Sequence, residues 1–333
     1  MIIVTGTNGF IAANIVRKLN ELGHTDLLVV DDYPQLRDGL AVASAPDTDR
    51  YTKDMSVSQF IDMHDLQAWL AERDGDDVDA IIHMGACSDT TVSDREFVMN
   101  VNLKYTTMLW NWCTKNQVPL VYASSAATYG DGEQGYSDEI DPTVYAPLNI
   151  YGESKHLFDL WALEQTQMPP RWAGLKFFNV YGPREQHKGR MASVAFHTYN
   201  QIKDTGKMKL FMSHKDGIDD GCQQRDFVFV DDVVEMTLYM LNTPASDDAP
   251  NGVYNVGTGK ARTFLDFAKS VFAALELEPN IEFIPMPEDL RGKYQYFTEA
   301  TMQKMRNAGY EQPIHDVEDG VRKYVQYLEQ LAK

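Results

Sequence analysis

Tyr151 and Lys155 stand four residues apart in YGESK, so on a helix they share one face, a single turn apart. An ammonium beside a phenol favours the phenolate, and a phenolate can take a hydroxyl proton near neutral pH. The interval by itself is unspecific, since Tyr199 and Lys203 in YNQIK show it too. The first pair is set apart by the segment before it, LVYASSAATYG, an apolar run that ends in Ser124 and Ser125. A hydroxyl at the C-terminal end of such a strand can hydrogen-bond a reacting oxygen. A further lysine, Lys188, lies between His187 and Gly189 in the polar stretch YGPREQHKGRMAS. A chain that already holds a Tyr/Lys pair gives no immediate reason for it.

A second constellation opens the chain. VTGTNGFIA places Gly6, Gly9 and Ala12 three residues apart, between an apolar run and a helical pattern. Glycines there allow a tight turn and close approach of backbone to a pyrophosphate, and the following helix N-terminus offers unpaired N–H groups. Ala12 stands where a third glycine is usual, a small-for-small change. Asp31 follows Ala12 by 19 residues, where a carboxylate accepts the adenosine ribose hydroxyls. Asp32 beside it repels a 2′-phosphate, while Arg37 and Lys53 attract one, so the residues alone leave NAD and NADP both open.

The elements that must position these groups alternate. Ile2–Val4, Leu27–Val30, Ala80–Met84, Leu120–Ser124 and Leu175–Val180 are short apolar runs that read as buried strands. Between the first two, Ile11, Ile15, Leu19 and Leu22 fall on one helical face, and Gly23 follows as a stop. Strand, helix and strand at this spacing predict a doubly wound parallel sheet of the Rossmann type. The expected domains are 1–180 for the cofactor, with a returning segment at about 226–258. Residues 181–225 and 259–333 then form a smaller α/β substrate-binding lobe. Ser213–Gln224 is polar, acidic and carries two glycines, and is expected to be the least regular stretch.

The bulk properties narrow the partners. The 333 residues carry a net charge of −19, which disfavours nucleic acid and anionic membrane surfaces. Three cysteines, Cys87, Cys113 and Cys222, form no CxxC pair and no metal-ligand spacing, and suit a reducing cytosol. No apolar stretch approaches the roughly 20 residues of a membrane span, and MIIVTGTNGF does not read as a signal peptide.

Together the glycine turn, YASSAATYG and YGESK resemble the extended short-chain dehydrogenase/reductase superfamily. Within it, HMGACSDTT, FFNVYGPREQHKGRMASVAFH, RDFVFVDDV, NVGTG and GKYQYFT, in that order, are similar to the ADP-heptose 6-epimerase family, out to about Thr298. The resemblance implies a bacterial cytosolic homo-oligomer, with a pentamer the expected form. It would serve lipopolysaccharide-core precursor synthesis by inverting C6 of an ADP-linked glycero-manno-heptose with tightly held NADP. It further implies Tyr151 as acid/base, Lys155 as its partner and Ser125 as the hydroxyl contact. Phe10, Ile11, Asp31, Asp32, Arg37, Lys53, Met84, Gly85, Ala86, Cys87, Ser88 and Asn102 would touch the cofactor. Asn179, His197, Phe211, Arg225 and Tyr294 would touch the sugar nucleotide, with Arg225 on its diphosphate. Two departures stand out: Asp32 replaces an uncharged amide, and Ser213–Gln224 is longer than usual.

Blander readings apply to several of these residues. Cys87 suits packing, since no basic partner is evident; His83 and His187 suit structural roles; Asn102 suits a turn; Phe211 and Tyr294 suit a core. Arg225 could instead pair with Asp226.

Inverting C6 also accounts for Lys188. Hydride must leave one face of the carbon and return to the other, so the substrate's exocyclic end must present both faces. The oxygen then occupies two places, and a second acid/base serves the second. Lysine fits that role if burial or nearby charge lowers its pKa, and Gly189 would give its loop backbone freedom. The alternative is that Lys188 only neutralises substrate phosphates. Among other reactions, a nucleotide-sugar 4-epimerase or 4,6-dehydratase would use the same Tyr/Lys pair. A dehydratase wants an acidic pair beside the serine, where Ala126, Ala127 and Thr128 stand instead. A cofactor-sensing protein has no use for Ser125, Tyr151 and Lys155.

Overall fold

The computed structural model describes residues 1–291 and 295–332. Strands β1 (Ile2–Thr5), β2 (Leu27–Asp31), β3 (Gln59–Asp62), β4 (Ala80–His83), β5 (Leu120–Ser125), β6 (Trp172–Phe177) and β7 (Asn179–Tyr181) come first along the chain. They are followed by β8 (Met208–Phe211), β9 (Gln224–Arg225), β10 (Phe227–Phe229), β11 (Gly252–Val256), β12 (Arg262–Thr263) and β13 (Ile281–Ile284). The helices in the first half are α1 (Phe10–Glu21), α2 (Leu66–Ala71), α3 (Arg95–Met99), α4 (Tyr105–Asn116) and α5 (Ile150–Glu164). The second half adds α6 (Val194–Thr205), α7 (Val230–Asn242), α8 (Phe264–Ala274), α9 (Glu288–Arg291), α10 (Gln303–Asn307) and α11 (Val317–Leu331).

Seven strands pair in the order β11-β6-β5-β4-β1-β2-β3, every pair parallel. Strand alternation feeds two cores, because successive side chains leave a strand on opposite faces. On one face Ile3, Leu28, Ile81, Leu120 and Tyr122 pack with Leu109 and Trp110 of α4 and Phe158 of α5. On the other, Val4 and Val29 pack with Ile15 and Leu19 of α1 and Val234 and Leu238 of α7. Covered on both faces, these strands need continuous apolar runs rather than alternation. The predicted doubly wound parallel sheet is thus the observed one.

The details depart from the sequence reading in several places, among them these. The run Leu175–Val180 is two strands, not one. The chain leaves the sheet after Phe177, and Asn179–Tyr181 pairs instead with β10, Asn179 opposite Phe227. Leu22, expected on the buried face of α1, is 56% exposed because the helix ends at Glu21 and turns through Gly23 at φ 88°. β3 was not anticipated; its four residues pair with β2, Leu28 opposite Gln59.

A separate core joins α6, α8 and α11, with Tyr199, Ile202, Phe267, Phe272, Val321 and Tyr324 buried together. Met305 and Tyr310, by contrast, pack on the large sheet against Tyr254 and Val256. Ser213–Gln224 is irregular up to β9, yet it is fastened: Ser213 N–H donates to Asp220 at 2.7 Å and Gly221 N–H to Phe211 O at 3.1 Å. No helix among the described residues is long and apolar enough to cross a membrane.

Candidate active site

β1 has β2 on one side and β4 on the other, so the winding reverses there and a crevice opens beyond the C-terminal strand ends. A cavity of about 780 Å³ occupies that crevice. The glycine turn forms its floor. Gly6 has φ 79°, and a Cβ there would sit 2.6 Å from Gly85 N; at Gly9 a Cβ would sit 2.8 Å from Gly6 O. Any side chain would fill this cradle. No side chain caps α1 at Gly9, which leaves first-turn N–H groups for an anion. The turn therefore fits a dinucleotide pyrophosphate.

At the adenosine end Asp31 accepts the Asn8 N–H and the Asp32 N–H, both at 2.8 Å. Burial raises its pKa, and these two bonds oppose the rise. Arg37 lines the cavity but is ion-paired to Asp32, with its Nε 3.6 Å from the buried Asp62. Lys53 is not in the lining; its N–H donates to Asp49 at 2.6 Å. Arg50 lines the cavity in its place, its N–H donating to Asn8 Oδ1 at 2.8 Å. Asn8 and Arg50 were missed by sequence reasoning. Asn8 lies inside the quoted turn and was legible there, whereas Arg50 sits in an irregular loop without periodicity. Asp32, Asp62 and His64 gather their donor atoms within 4.8 Å, and the Arg37 guanidinium already supplies positive charge there.

Met84, Gly85, Ala86, Cys87 and Ser88 follow β4 and form one wall. Asn102 stands behind it, outside the lining. Its Oδ1 accepts the Cys87 N–H at 2.8 Å, and its Nδ2 donates to Cys87 O at 3.0 Å and Ser154 Oγ at 2.9 Å. Both backbone edges of Cys87 are thereby clamped. His83 is buried between the Thr5 and Thr106 hydroxyls at 2.7 and 2.9 Å, and burial with the nearby Lys155 pushes its pKa down to about 3.

The reacting end is built by α5. Asn149 caps it by accepting the Gly152 N–H at 2.8 Å, which puts Tyr151 in the first turn. A Cβ on Gly152 would lie 2.8 Å from Ala127 O, so the glycine lets that turn rest on the 3-10 turn Ala126–Tyr129 that follows β5. Tyr151 and Ser125 thereby line the same cavity. The expectation that Lys155 lowers the Tyr151 pKa is not met in this structure. Burial raises it, and the Ser125 hydroxyl only partly opposes that. Lys155 is itself buried, at 3% exposure, and burial brings its pKa down to about 8 against the opposing charge of Asp159.

Lys188 reaches the same cavity from the loop after β7. Glu185 anchors that loop: fully buried, it accepts the Gly182 N–H at 3.2 Å and the Ser193 hydroxyl at 2.6 Å. Gly189 adopts φ 53°, which favours glycine. His187 meets the Tyr51 hydroxyl at 2.8 Å, and Arg190 donates to Thr91 Oγ1 at 2.8 Å, so both neighbours turn to other loops. Lys188 Nζ lies 5.6 Å from the centre of the Phe10 ring. Burial lowers its pKa and Glu185 opposes the drop. The neighbours the sequence suggested, His187 and Arg190, are not the cause.

The structure thus brings Gly6, Gly9, Phe10, Ile11, Asp31, Asp32, Arg37, Met84 to Ser88, Ser125, Tyr151, Lys155 and Lys188 to one cavity. Asn179, His197, Phe211 and Arg225 lie outside its lining. Asn179 is exposed at the start of β7, His197 sits on α6 with Nε2 3.3 Å from Arg190 O, and Phe211 ends β8. Arg225 is buried, donates to Gln224 O at 2.8 Å and lies 5.6 Å from the Phe264 ring. The neighbouring Asp226 carboxylate is taken up by N–H groups of Thr258, Gly259 and Ala300. Tyr294 lies outside the described residues.

Residues 2–257 match the NAD dependent epimerase/dehydratase family. An ADP-L-glycero-D-manno-heptose-6-epimerase of Fusobacterium nucleatum subsp. nucleatum is 47% identical over 336 residues, spanning 98% of this chain and 97% of that protein. One of Nitratidesulfovibrio vulgaris is 48% identical over 333 residues, 98% of each chain. Among solved structures, that of the Helicobacter pylori ADP-L-glycero-D-manno-heptose-6-epimerase shares the fold with a TM-score of 0.77 at 24% identity, over 98% of this chain and 96% of that one. The Thermotoga maritima UDP-glucose 4-epimerase with UDP-glucose superposes with a TM-score of 0.75 at 22% identity, over 100% and 99% of the two chains.

Proposed function

The chain belongs to the NAD dependent epimerase/dehydratase family and, within it, to the ADP-L-glycero-D-manno-heptose-6-epimerases, and from that premise we propose how its residues carry the reaction. It is an isomerase of an ADP-linked heptose that works with a nicotinamide cofactor. Tyr151, with Ser125 at the reacting oxygen, takes the C6 hydroxyl proton and leaves a 6-keto sugar. A bound nicotinamide would supply the hydride acceptor for C6 and, for the opposite face, the hydride donor. Lys155 would hold the nicotinamide ribose, and it supplies positive charge beside Tyr151. Lys188 delivers or removes the proton when the exocyclic end has rotated and its oxygen has moved. The observation that carries this reading is that Tyr151 on α5 and Lys188 after β7 line one cavity from separate elements. Proton NMR of the products from each ADP-heptose epimer tests the reaction. No conversion of either epimer would overturn it.

For the cofactor we propose NADP, with Arg37 and Arg50 on its 2′-phosphate; both line the adenosine end. The ion pair between Arg37 and Asp32 favours NAD as the second reading. Mass spectrometry of the nucleotide released on denaturation separates them, and NAD alone would reverse the choice.

We assign Asn179, His197, Phe211 and Arg225 to the sugar nucleotide on the strength of the motif resemblance. The same resemblance supports a cytoplasmic homo-pentamer acting in lipopolysaccharide-core precursor synthesis. Light scattering of the purified enzyme tests the oligomeric state.

A further inference from the structure

Behind the reacting pair lies a buried charge with no part in the proton transfers above. α5 carries Tyr151, Lys155 and Asp159 at four-residue intervals, one turn after another along one face. Asp159 is fully buried and both its oxygens are engaged. Oδ1 accepts the Tyr122 hydroxyl at 2.9 Å, while Oδ2 accepts the Ser124 hydroxyl at 2.7 Å and Lys176 Nζ at 2.8 Å. Lys176, buried on β6, donates again to Thr128 Oγ1 at 2.6 Å and lies 5.0 Å from the Tyr129 ring. A buried ion pair is a poor source of stability, because desolvating two charges offsets their attraction; an apolar pair of similar volume serves a core as well or better. Yet this one adjoins the cavity: Ser124, which donates to Asp159, and Lys155, one helical turn before it, both line the wall.

We propose that Asp159 is a positioning residue for Lys155: locked by Tyr122, Ser124 and Lys176, its carboxylate supplies from one turn behind the negative charge that keeps the Lys155 ammonium in place beside Tyr151. The proposal rests on the reading of Tyr151 and Lys155 as the proton-transfer pair.

The charges around Lys155 single Asp159 out. Burial works against the ammonium, and the groups opposing it are Asp159 first and Cys87 second. The Cys87 thiol is pushed up by burial, so it stays protonated and uncharged at neutral pH. His83 on β4 stays neutral, its pKa pushed down to about 3. Tyr122 on β5 and Tyr151 on α5 both have their pKa raised by burial. Lys176 on β6 pairs with Asp159 and Thr128 and, as a basic group, opposes rather than favours charge on Lys155. Among the described residues, Asp159 is then the acidic group placed to favour charge on Lys155.

The test is the pH profile of kcat for the holoenzyme with ADP-heptose. Asp159→Asn keeps the shape and removes the charge. Asp159→Asn with Lys176→Met removes both charges and leaves none buried unpaired. In Asp159→Asn the alkaline limb should move to lower pH by about one unit or more, because Lys155 gives up its proton sooner; in the double variant, which also loses the Lys176 charge, it should move the same way by less, and in both KM should change less than kcat. A limb at the wild-type position with kcat lowered at every pH would overturn the proposal, as would a double variant that fails to fold. Lys155→Met is the control. If it retains turnover, the Tyr151/Lys155 reading itself falls. If it loses turnover while the limb stays put in the Asp159 variants, the Asp159 proposal alone falls.

Discussion

Ser124 and Ser125, neighbours at the end of β5, turn their hydroxyls to different partners. Ser124 Oγ donates to the buried Asp159 carboxylate at 2.7 Å, whereas Ser125 Oγ accepts the Ala127 N–H at 3.1 Å and lines the cavity with Tyr151. The alternation of a strand separates them, one toward the core and one toward the reacting end. Ser125→Ala should therefore lower kcat by about 100-fold or more, the cost of losing a positioned donor at a reacting oxygen. Ser124→Ala should leave kcat within a few-fold and lower stability by about 1–3 kcal/mol, because a buried carboxylate loses a donor. Steady-state rates and urea unfolding on both variants check this, and equal kcat losses would contradict it.

Gly152→Ala should damage catalysis through geometry alone. Its Cβ would stand 2.8 Å from Ala127 O and 3.2 Å from Pro147 Cβ. The first turn of α5 must then lift from the turn after β5 and carry Tyr151 with it. Overpacking of this kind costs about 1–3 kcal/mol, and a displaced acid/base should lower kcat by more than ten-fold, as measured beside a thermal melt. Wild-type kcat would show that the contact is unimportant.

Tyr151→Phe and Lys188→Met should show opposite stereochemical bias. A positioned acid/base is worth about 10²–10⁴ in rate. Each variant should lose that much in oxidising one C6 epimer and far less with the other, as read in single-turnover assays with both ADP-heptoses. Equal losses for both epimers in Lys188→Met would assign Lys188 to phosphate binding instead.

Lys155 makes stability depend on pH. Its pKa is about 8 in the folded chain against an ordinary 10.5, so the native state releases the proton first as pH rises. Below about pH 8 the folded chain carries the full cost of a buried ammonium, and the cost is relieved between about pH 8 and 10.5. Lys155→Met should therefore be more stable than wild type at pH 7, by at most about 3 kcal/mol, with the two converging toward pH 10. Urea unfolding across that range measures it, while turnover is lost. A less stable methionine variant at pH 7 would contradict the assignment.

Much of the architecture was legible because burial on two faces demands it: Ile2–Val4, Leu27–Val30 and Leu120–Ser124 are unbroken apolar runs, and only a covered parallel sheet takes such strands. β3 escaped notice because its four residues, Gln59 to Asp62, carry just two apolar side chains. Phe178 masked the break between β6 and β7, since a chain leaving one sheet for another keeps its apolar character when both are buried.

By itself, the sequence determined the chemistry on offer: glycines at Gly6 and Gly9, a Tyr151/Lys155 pair one helical turn apart, Ser125 before them and a lysine in a polar loop. These follow from local rules, in which chain spacing and helical period are enough. Tertiary structure alone decided which charges act on which groups. Arg37 is paired to Asp32, Arg50 rather than Lys53 faces the cavity, and Asn102 clamps Cys87 from behind the wall. It also decided that Lys176 and Tyr122, 21 residues after Lys155 and 33 before it, meet Asp159 one turn behind that lysine. Electrostatic effects depend on distance and burial, and both are set by packing between segments remote in the chain.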